Sequence, residues 1–261
     1  MGRPQAMVFP RGERVQERRR DADDRKLRDE FFDHPTLLAI SRLISRGLFE
    51  SVDYPIATGK EGGVFRASGA GGFRAVKVYR IGNSVFRSLP PYVLEEFRRE
   101  VGVGGFAQLI SAWTRREHTI LTRLHEAGVR VPEPLGYLRN VLVMELVGTP
   151  QGVASGRLKD AAVRDPDALR TQFALQVRRM VLAAHLVHGD LSQYNVLEDP
   201  EGGPVFIDVA QAIPTDHPQA RALLERDLRT FARFFGKLGA DGDFEKLWRE
   251  CGGAELPPPK R

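Results

Sequence analysis

Hydrophobic residues recur at two different spacings along this chain of 261 residues: every second position in some segments and every third or fourth in others. Residues 73–79 follow a glycine turn at 68–72 and alternate between apolar and polar side chains, which predicts a strand. Residues 142–146 are apolar apart from one glutamate and predict a buried strand. Elsewhere apolar residues recur every three or four positions, the spacing of amphipathic helices. The pattern therefore predicts a mixture of strands and helices.

The helical spacing is clear in several stretches. The first starts at a predicted N-cap, Thr36, and ends at Gly47. The others span residues 113–124, 169–184 and 218–235. We expect the helix at 169–184 to support the polar loop that directly follows it.

Composition allows a substantial core and sets few further limits. Hydrophobic residues make up 42% of the chain, enough for two lobes that share one cleft. No apolar run approaches the roughly 20 residues of a membrane span, and the first residues lack the apolar segment of a signal peptide. We therefore expect a cytoplasmic protein with no membrane partner. The only cysteine, Cys251, excludes an internal disulfide and a cysteine-cluster metal site.

The charge of the chain is modestly positive. Its 39 basic and 34 acidic side chains give a net charge of +5, which favours an encounter with polyanions. The N-terminal tail, residues 1–30, is dense in charges of both signs and is predicted to be solvated, with an RNA-contacting arm as the sharper alternative. We expect a second tail at 251–261.

The strongest chemical signal is a polar loop between short apolar stretches. Residues 187–197 read Val-His-Gly-Asp-Leu-Ser-Gln-Tyr-Asn-Val-Leu, and residues 206–208 read Phe-Ile-Asp. Asp190 can orient an attacking hydroxyl and accept its proton, whereas Asn195 and Asp208 offer the hard oxygen ligands that Mg²⁺ prefers. This spacing is typical of phosphotransferases. The alternative is that Asp190 caps a helix and Asn195 serves a turn.

A glycine-containing turn upstream is the candidate phosphate grip. It lies between two apolar segments and reads Thr58, Gly59, Lys60, Glu61, Gly62, Gly63 and Val64. Its glycines would let backbone N–H groups approach phosphates. It is not a Walker A loop, because a glutamate follows the lysine where Ser or Thr is required. A plain glycine hairpin is the alternative.

A lysine in the strand at 73–79 is the candidate nucleotide contact. Lys77 stands where the Val-Ala-Ile-Lys strand of kinases places a lysine that contacts the α- and β-phosphates. Such a lysine needs an acidic partner, and Glu117 is the candidate because it falls within the apolar stripe at 113–124. A carboxylate on a core-facing stripe is expected to be paired. The alternative is a glutamate at the helix edge that reaches solvent.

Together these motifs resemble those of the RIO atypical protein kinases, and within them the type-one branch. The resemblance is collinear over roughly residues 31–236. It is carried by Thr58-Gly-Lys-Glu61, Ala75-Val-Lys-Val-Tyr79, Trp113 with Glu117, Pro132-Glu-Pro134, Leu142-Val-Met144, Val187-His188 to Asn195, Ile207-Asp208-Val209 and Asp216-His-Pro218. An ordered set of this kind is far more specific than any single motif.

The resemblance implies an α+β, two-lobed, protein-kinase-like fold, with the N-lobe at 31–145 and the C-lobe at 146–250. The N-lobe would be a small antiparallel sheet preceded by N-terminal helices, the C-lobe a reduced set of helices, and ATP would bind between them with Mg²⁺ or Mn²⁺. By the same resemblance Lys77 and Glu117 form an ion pair, Asp190 is catalytic, and Asn195 and Asp208 bind the metal. Lys77 and Asp208 also count among the catalytic residues.

The resemblance assigns the remaining nucleotide contacts to the turn and to the second strand. The phosphate grip would comprise Thr58, Gly59, Lys60, Glu61, Gly62 and Val64. Met144 and Glu145 lie where kinases have the hinge whose backbone binds adenine.

The resemblance also implies an acceptor and a partner. Family members phosphorylate themselves and protein serines, so the acceptor is a serine of this chain or of an unknown protein substrate. Members also serve maturation of the small ribosomal subunit, which makes that particle or its rRNA an implied partner. Some are thought to be ATP-hydrolysing switches that form a phospho-aspartate at the position of Asp208, and such a switch is our second hypothesis.

Gly189 departs from the family pattern, which commonly has alanine between the histidine and the aspartate. His-Gly-Asp is the form found in aminoglycoside and choline kinases, so phosphorylation of a small alcohol is a third hypothesis. This third hypothesis requires an acidic acceptor pocket. The nearby acids are predicted to be surface residues: Asp160, Asp165 and Asp167.

Other departures concern mobility and control. Gly62 and Gly63 replace a bulkier pair that is usual in the family, which predicts a more mobile phosphate lid. Nothing after Asp208 resembles an activation segment, so control by its phosphorylation is not expected. Residues 80–105 are polar, basic and broken by glycine and proline, which makes them a candidate substrate-binding loop. A linker with one short helix at 93–99 is the alternative.

Overall fold

A computed structural model describes residues 31–59, 62–81, 91, 105–199 and 203–256 of the protein. These residues divide into two compact units. The first contains the described residues up to 81 together with 105–115 and 135–146. The second contains residue 91, residues 116–134 and the described residues from 147 onward.

The first unit is built on a five-stranded antiparallel sheet. It contains helix α1 (His34–Ser45) and strands β1 (Ser51–Thr58), β2 (Gly62–Gly69), β3 (Gly72–Tyr79), β4 (Pro134–Leu138) from residue 135 onward, and β5 (Val141–Glu145). The strands lie in the order β1-β2-β3-β5-β4. The apolar side of α1 joins the sheet in one buried cluster that includes Ala39, Ile40, Leu43, Val76, Val78, Val141 and Val143. This core holds the middle strands β3 and β5 in place.

The start of α1 differs from the prediction. Asp33, not Thr36, is the N-cap, and its carboxylate accepts a hydrogen bond from the backbone N–H of Thr36 at 2.9 Å. Pro35 then lies in the first turn, where its missing N–H costs nothing. Thr36 is buried instead, and its hydroxyl oxygen accepts from the Asn140 side chain at 2.9 Å. The helix does end as predicted, before a left-handed Gly47 with φ +77°.

The second unit is mainly helical. Its helices are the part of α2 (Phe106–Glu126) from residue 116 onward, α3 (Pro166–Leu182), α4 (Ala220–Leu238) and α5 (Phe244–Glu250). Two antiparallel pairs of short strands join β6 (Leu186–Val187) to β9 (Ile213–Pro214) and β7 (Val196–Glu198) to β8 (Pro204–Phe206). Short 3₁₀ turns lie at Leu158–Asp160, Val209–Gln211 and Gly253–Glu255.

An aromatic cluster forms part of the core of the second unit. Phe173 of α3 is fully buried and stacks on Phe231 of α4, with ring centroids 4.1 Å apart. Phe206 of β8 and Phe235 of α4 meet the Phe173 ring at steep angles. Because β8 carries Phe206 two residues before Asp208, this core fixes one end of the predicted polar site.

The α+β class predicted for the chain is confirmed by a sheet-based unit and a mainly helical one. The predicted strands at 73–79 and 142–146 are β3 and β5, and the stripe at 113–124 lies within α2. The C-terminal tail starts later than the predicted residue 251, because Cys251 and Leu256 are buried. Burial also raises the pKa of the Cys251 thiol. Within the described ranges no helix combines the length and the apolar character that a membrane span requires.

Candidate active site

The loop between β6 and β7 holds Asp190 and Asn195 together. The side-chain amide of Asn195 donates to the backbone oxygen of Asp190 at 2.8 Å and to its carboxylate at 3.1 Å. These bonds use the amide nitrogen and leave the amide oxygen of Asn195 as a hard ligand. The alternative of a helix cap is wrong for Asp190, because the loop runs from strand β6 to strand β7.

The end of β8 brings Asp208 to the same loop. Ile207 donates its backbone N–H to the backbone oxygen of Asn195 at 3.0 Å, which continues the pairing of β7 and β8 to the residue before Asp208. Asp208 itself has φ +57°, a left-handed conformation that is uncommon for residues other than glycine, asparagine and aspartate. The structure thus places Asp190, Asn195 and Asp208 in one loop cluster.

His188 fixes the backbone on both sides of this cluster. Its ring is 1% exposed, its Nε2 lies 3.0 Å from the backbone oxygen of Ile207, and its Nδ1 accepts from the backbone N–H of Asp190 at 3.3 Å. A carbonyl oxygen can only accept, so the bond to Ile207 requires a hydrogen on Nε2. His188 therefore braces the loop through hydrogen bonds.

Two residues of α4 hold the loop and were missed by sequence reasoning. Arg226 donates to the backbone oxygen of Gly189 and to the carboxylate of Asp227, the latter at 3.0 Å. Asp227 is 2% exposed, and burial raises its pKa, while His188, Arg226 and the Leu191 N–H act in the opposite direction. The sequence did contain a signal for this contact: Asp227 falls inside the apolar stripe at 218–235, and a buried carboxylate requires a compensating partner.

Arg116 of α2 holds the segment that follows Asp208. Its Nε donates to the backbone oxygen of Ala210 at 3.0 Å and its Nη2 to that of Ala212 at 2.9 Å. The chain then continues as β9, which pairs with β6, and Thr215 donates to the backbone oxygen of His185 at 3.1 Å. The segment is thus fastened to its surroundings at Ala210, Ala212 and Thr215 and through β9.

The predicted phosphate grip joins β1 to β2. Thr58 is the register partner of Gly63, and the N–H of Gly59 donates to the oxygen of Gly62 at 2.9 Å. A Cβ atom on Gly62 would lie 2.6 Å from the backbone oxygen of Val78, so the close approach of β2 to β3 requires glycine there. Lys60 and Glu61 lie outside the described residues, as does most of the predicted loop at 80–105.

Lys77 lies on β3 in the middle of the sheet. Its register partners are Val64 on β2 and Leu142 on β5, and its ammonium lies 4.9 Å from the centroid of the Tyr79 ring. Val64 is therefore a direct cross-strand neighbour of Lys77. The two predicted adenine contacts, Met144 and Glu145, end strand β5.

Glu117 is buried in α2. Its side chain is 2% exposed, and the predicted apolar stripe around it is buried too, with Trp113, Ile120, Leu121 and Leu124 each at 8% exposure or less. The alternative of a solvent-reaching glutamate is therefore wrong. A carboxylate in this environment requires compensation. Its ion pair with Lys77 stays a prediction.

The acids named for a small-molecule acceptor lie on the surface. Asp160 and Asp167 are exposed. Asp165 is the N-cap of α3 and accepts from the backbone N–H of Ala168 at 2.9 Å. All three acids are exposed, which confirms the prediction that they are surface residues.

Comparison with known proteins supports the resemblance seen in the motifs. The family model described as the RIO domain matches residues 63–247. The RIO-type serine/threonine-protein kinase Rio1 of Haloferax volcanii is 41% identical over 239 residues, covering 91% of this chain and 81% of that protein. The protein of the same name from Methanocaldococcus jannaschii is 34% identical over 246 residues, covering 94% and 83%. Human serine/threonine-protein kinase RIO1 is 34% identical over 221 residues, covering 83% and 39%. The chain therefore belongs to the RIO domain family.

Proposed function

We propose that the protein is an ATP-dependent RIO-type serine/threonine-protein kinase. The relatives named above carry that activity in their names and align with most of this chain. The observation that carries the proposal is the bonded pair of Asp190 and Asn195, with Asp208 one residue beyond the Ile207 contact to Asn195. An acid, an amide and a second acid in one loop cluster are the groups that phosphoryl transfer needs.

Asp190 receives the acceptor hydroxyl. Its exposed carboxylate accepts the hydroxyl proton as the oxygen attacks the γ-phosphorus of ATP. A bond forms between that oxygen and the γ-phosphorus, the bond from the γ-phosphorus to the β,γ-bridging oxygen breaks, and ADP leaves with the electron pair. His188 holds the N–H of Asp190, and Arg226 holds the oxygen of Gly189, so the backbone that carries the carboxylate is fixed.

Asn195 and Asp208 fit a divalent cation. The amide oxygen of Asn195 is not used by the bonds to Asp190, and both groups are hard oxygen ligands. Bound Mg²⁺, or Mn²⁺ in its place, would neutralise the charge of the phosphates. Asn195 and Asp208 would supply two ligands, and phosphate and water oxygens the rest.

The proposed nucleotide contacts come mainly from the first unit. Lys77 binds the α- and β-phosphates, and the resemblance assigns Glu117, a residue of the second unit, as its acidic counterpart. The residues that surround ATP are Thr58, Gly59, Lys60, Glu61, Gly62 and Val64, with Met144 and Glu145 at the adenine. The position of Val64 opposite Lys77 supports this assignment.

The acceptor is a protein serine, in this chain as well as in a substrate protein. We place the protein in the cytoplasm, with the small ribosomal subunit or its rRNA as a partner. The net charge of +5 supports an encounter with such a polyanion.

The test follows labelled phosphate in two places at once. Parent and Asp190→Asn proteins are incubated with Mg²⁺ and γ-labelled ATP, and label in protein and free phosphate are both measured. We expect acid-stable label on serine in the parent and about 10²–10⁴-fold slower transfer in the variant, with ATP binding retained. Asp167→Asn, which alters an exposed acid, should match the parent.

Two results would change the proposal. Equal labelling of parent and Asp190→Asn protein would overturn the role of Asp190. Free phosphate with only acid-labile, hydroxylamine-sensitive label at Asp208 would indicate an ATP-hydrolysing switch rather than a protein kinase.

A further inference from the structure

Tyr194 and Lys159 form an exposed aromatic and basic surface on the loop that carries Asp190. The side chain of Tyr194 is 49% exposed, although a tyrosine offers much apolar area to a core. The ammonium of Lys159 lies 5.2 Å from the centroid of its ring, within the range of a cation–π contact. The transfer mechanism described above uses neither residue.

The position of Lys159 is set by the same loop. Its backbone N–H donates to the oxygen of Gln193 at 3.1 Å, next to Tyr194. Glu198, just after the loop, donates its N–H to the oxygen of Gly156 at 3.1 Å. Leu158 is 1% exposed and anchors the 3₁₀ turn between these two bonds. The surface is therefore organised before any ligand arrives, which lowers the entropic cost of binding.

Lys159 is available to an incoming carboxylate. Its partner is Asp160, with 3.6 Å between Nζ and Oδ2, and the two side chains are 36% and 66% exposed. Exposed ion pairs contribute little to stability, so replacing the Asp160 carboxylate by one from a ligand costs little free energy. Arg157, two residues earlier, adds positive charge to the same segment.

The surface is also close to the acceptor position. Asn195 bonds to Asp190 and so joins the two ends of the loop, and Tyr194 is the residue before Asn195. Neighbouring Cα atoms are about 3.8 Å apart. An extended segment that presents a serine to Asp190 would therefore reach Tyr194 within a few residues.

We propose that Tyr194 and Lys159 form the acceptor-binding surface, and that they select a protein segment with an acidic side chain near the serine. The ring of Tyr194 packs against the aliphatic part of the segment, and the ammonium of Lys159 donates to the acidic side chain. This inference rests on the proposed role of Asp190 and adds a substrate class to it.

A charge reversal tests the proposal. The probes are two serine peptides of equal length, one flanked by aspartates and one by lysines. We expect the parent to phosphorylate the acidic peptide with a kcat/KM roughly tenfold higher than that for the basic peptide. In Lys159→Glu this preference should disappear or reverse, because the KM for the acidic peptide rises. Tyr194→Ala should raise KM for both peptides, and Tyr194→Phe should restore it because the ring is retained. Lys237→Glu reverses an exposed charge at the end of α4 and should leave the ratio unchanged.

The outcomes separate this proposal from the function itself. An unchanged peptide ratio in Lys159→Glu, together with an inactive Asp190→Asn, would overturn the acceptor surface and leave the kinase assignment intact. An active Asp190→Asn would instead remove the basis of both. If a single-stranded RNA blocked peptide phosphorylation in the parent but not in Lys159→Glu, the surface would bind nucleic acid, and the peptide proposal would be wrong.

Discussion

The guanidinium of Arg116 donates to the backbone oxygen of Ala210 at 3.0 Å, two residues beyond Asp208. The second bond, to Ala212, makes the contact a fork that a lysine cannot reproduce. Asp208 has φ +57°, a left-handed conformation that aspartate adopts more readily than most residues other than glycine. Arg116 fixes the backbone two and four residues beyond it, which links helix α2 to the presentation of Asp208.

Loss of this fork should weaken Mg²⁺ binding at the proposed metal site before it weakens the fold. We expect Arg116→Ala to raise the Mg²⁺ concentration for half-maximal ATP binding by about 10- to 100-fold, the usual effect of removing a group that orients a metal ligand. The Mg²⁺ concentration that Arg116→Lys requires should lie between those of Arg116→Ala and the parent. Calorimetric titration of ATP at a series of Mg²⁺ concentrations measures the effect.

Arg179→Ala is the matched control for Arg116→Ala. Arg179 also donates to a backbone oxygen, that of Gly128 at 3.0 Å, but away from the loop cluster. Equal Mg²⁺ dependence of the two alanine variants would show that Arg116 has only a general structural role.

Gly62 should tolerate no side chain, because the atom that a Cβ would meet belongs to the backbone of β3 and cannot move aside as a flexible side chain could. A Cβ atom would lie 2.6 Å from the oxygen of Val78, so Gly62→Ala must push β2 and β3 apart. We expect a loss of about 1–3 kcal/mol in the free energy of unfolding, measured with urea. Gly105→Ala, at a position with open space, should change it by less than about 0.5 kcal/mol. Equal stability of the two variants would contradict the clash.

Local patterns in the sequence were enough to single out the candidate site side chains. The polar loop with Asp190, the strand with Lys77 and the buried Glu117 each leave a signal of spacing or burial within a short window. The bonds from Arg116 and Arg226 could not be predicted in this way, because their acceptors are backbone oxygens far away in the sequence. A carbonyl group is present at every residue and leaves no compositional signal.

The start of α1 shows the same limit at short range. The sequence contains two capping residues three positions apart, Asp33 and Thr36, and only the first leaves Pro35 inside the helix. The choice also depends on Asn140, which uses the Thr36 hydroxyl from another part of the chain. Propensity identified the helix, whereas tertiary contacts decided its first residue.

The aromatic core should dominate the stability of the second unit. Phe173 is fully buried and its ring contacts Phe206, Phe231 and Phe235. We expect Phe173→Ala to lower the free energy of unfolding by about 3–5 kcal/mol, measured by urea denaturation. Leu175→Ala on the same helix removes a side chain that is 48% exposed and should cost far less. Similar losses in both variants would contradict this account of the core.

Asp227 should make folding stability depend on pH in a direction opposite to that of most carboxylates. Burial raises its pKa above the ordinary value of 3.8, so the folded chain holds this proton more tightly than the unfolded chain does. The protonated group therefore favours folding at low pH, and that contribution declines as the pH rises from about 4 through the raised pKa. Asparagine cannot ionise, so Asp227→Asn lacks this decline.

The measurement is the free energy of unfolding of Asp227→Asn minus that of the parent, taken by urea denaturation at successive pH values. We expect this difference to increase from about pH 4 and to become constant above the raised pKa. Asp241→Asn is the control of opposite sign. A hydrogen bond from Lys246 lowers the pKa of Asp241, so its stabilising contribution is present above the ordinary pKa and is lost as the pH falls. The corresponding difference for Asp241→Asn should therefore decrease as the pH rises. A difference for Asp227→Asn that stays level, or that follows the sign of Asp241→Asn, would mean that Arg226 and His188 outweigh burial at Asp227.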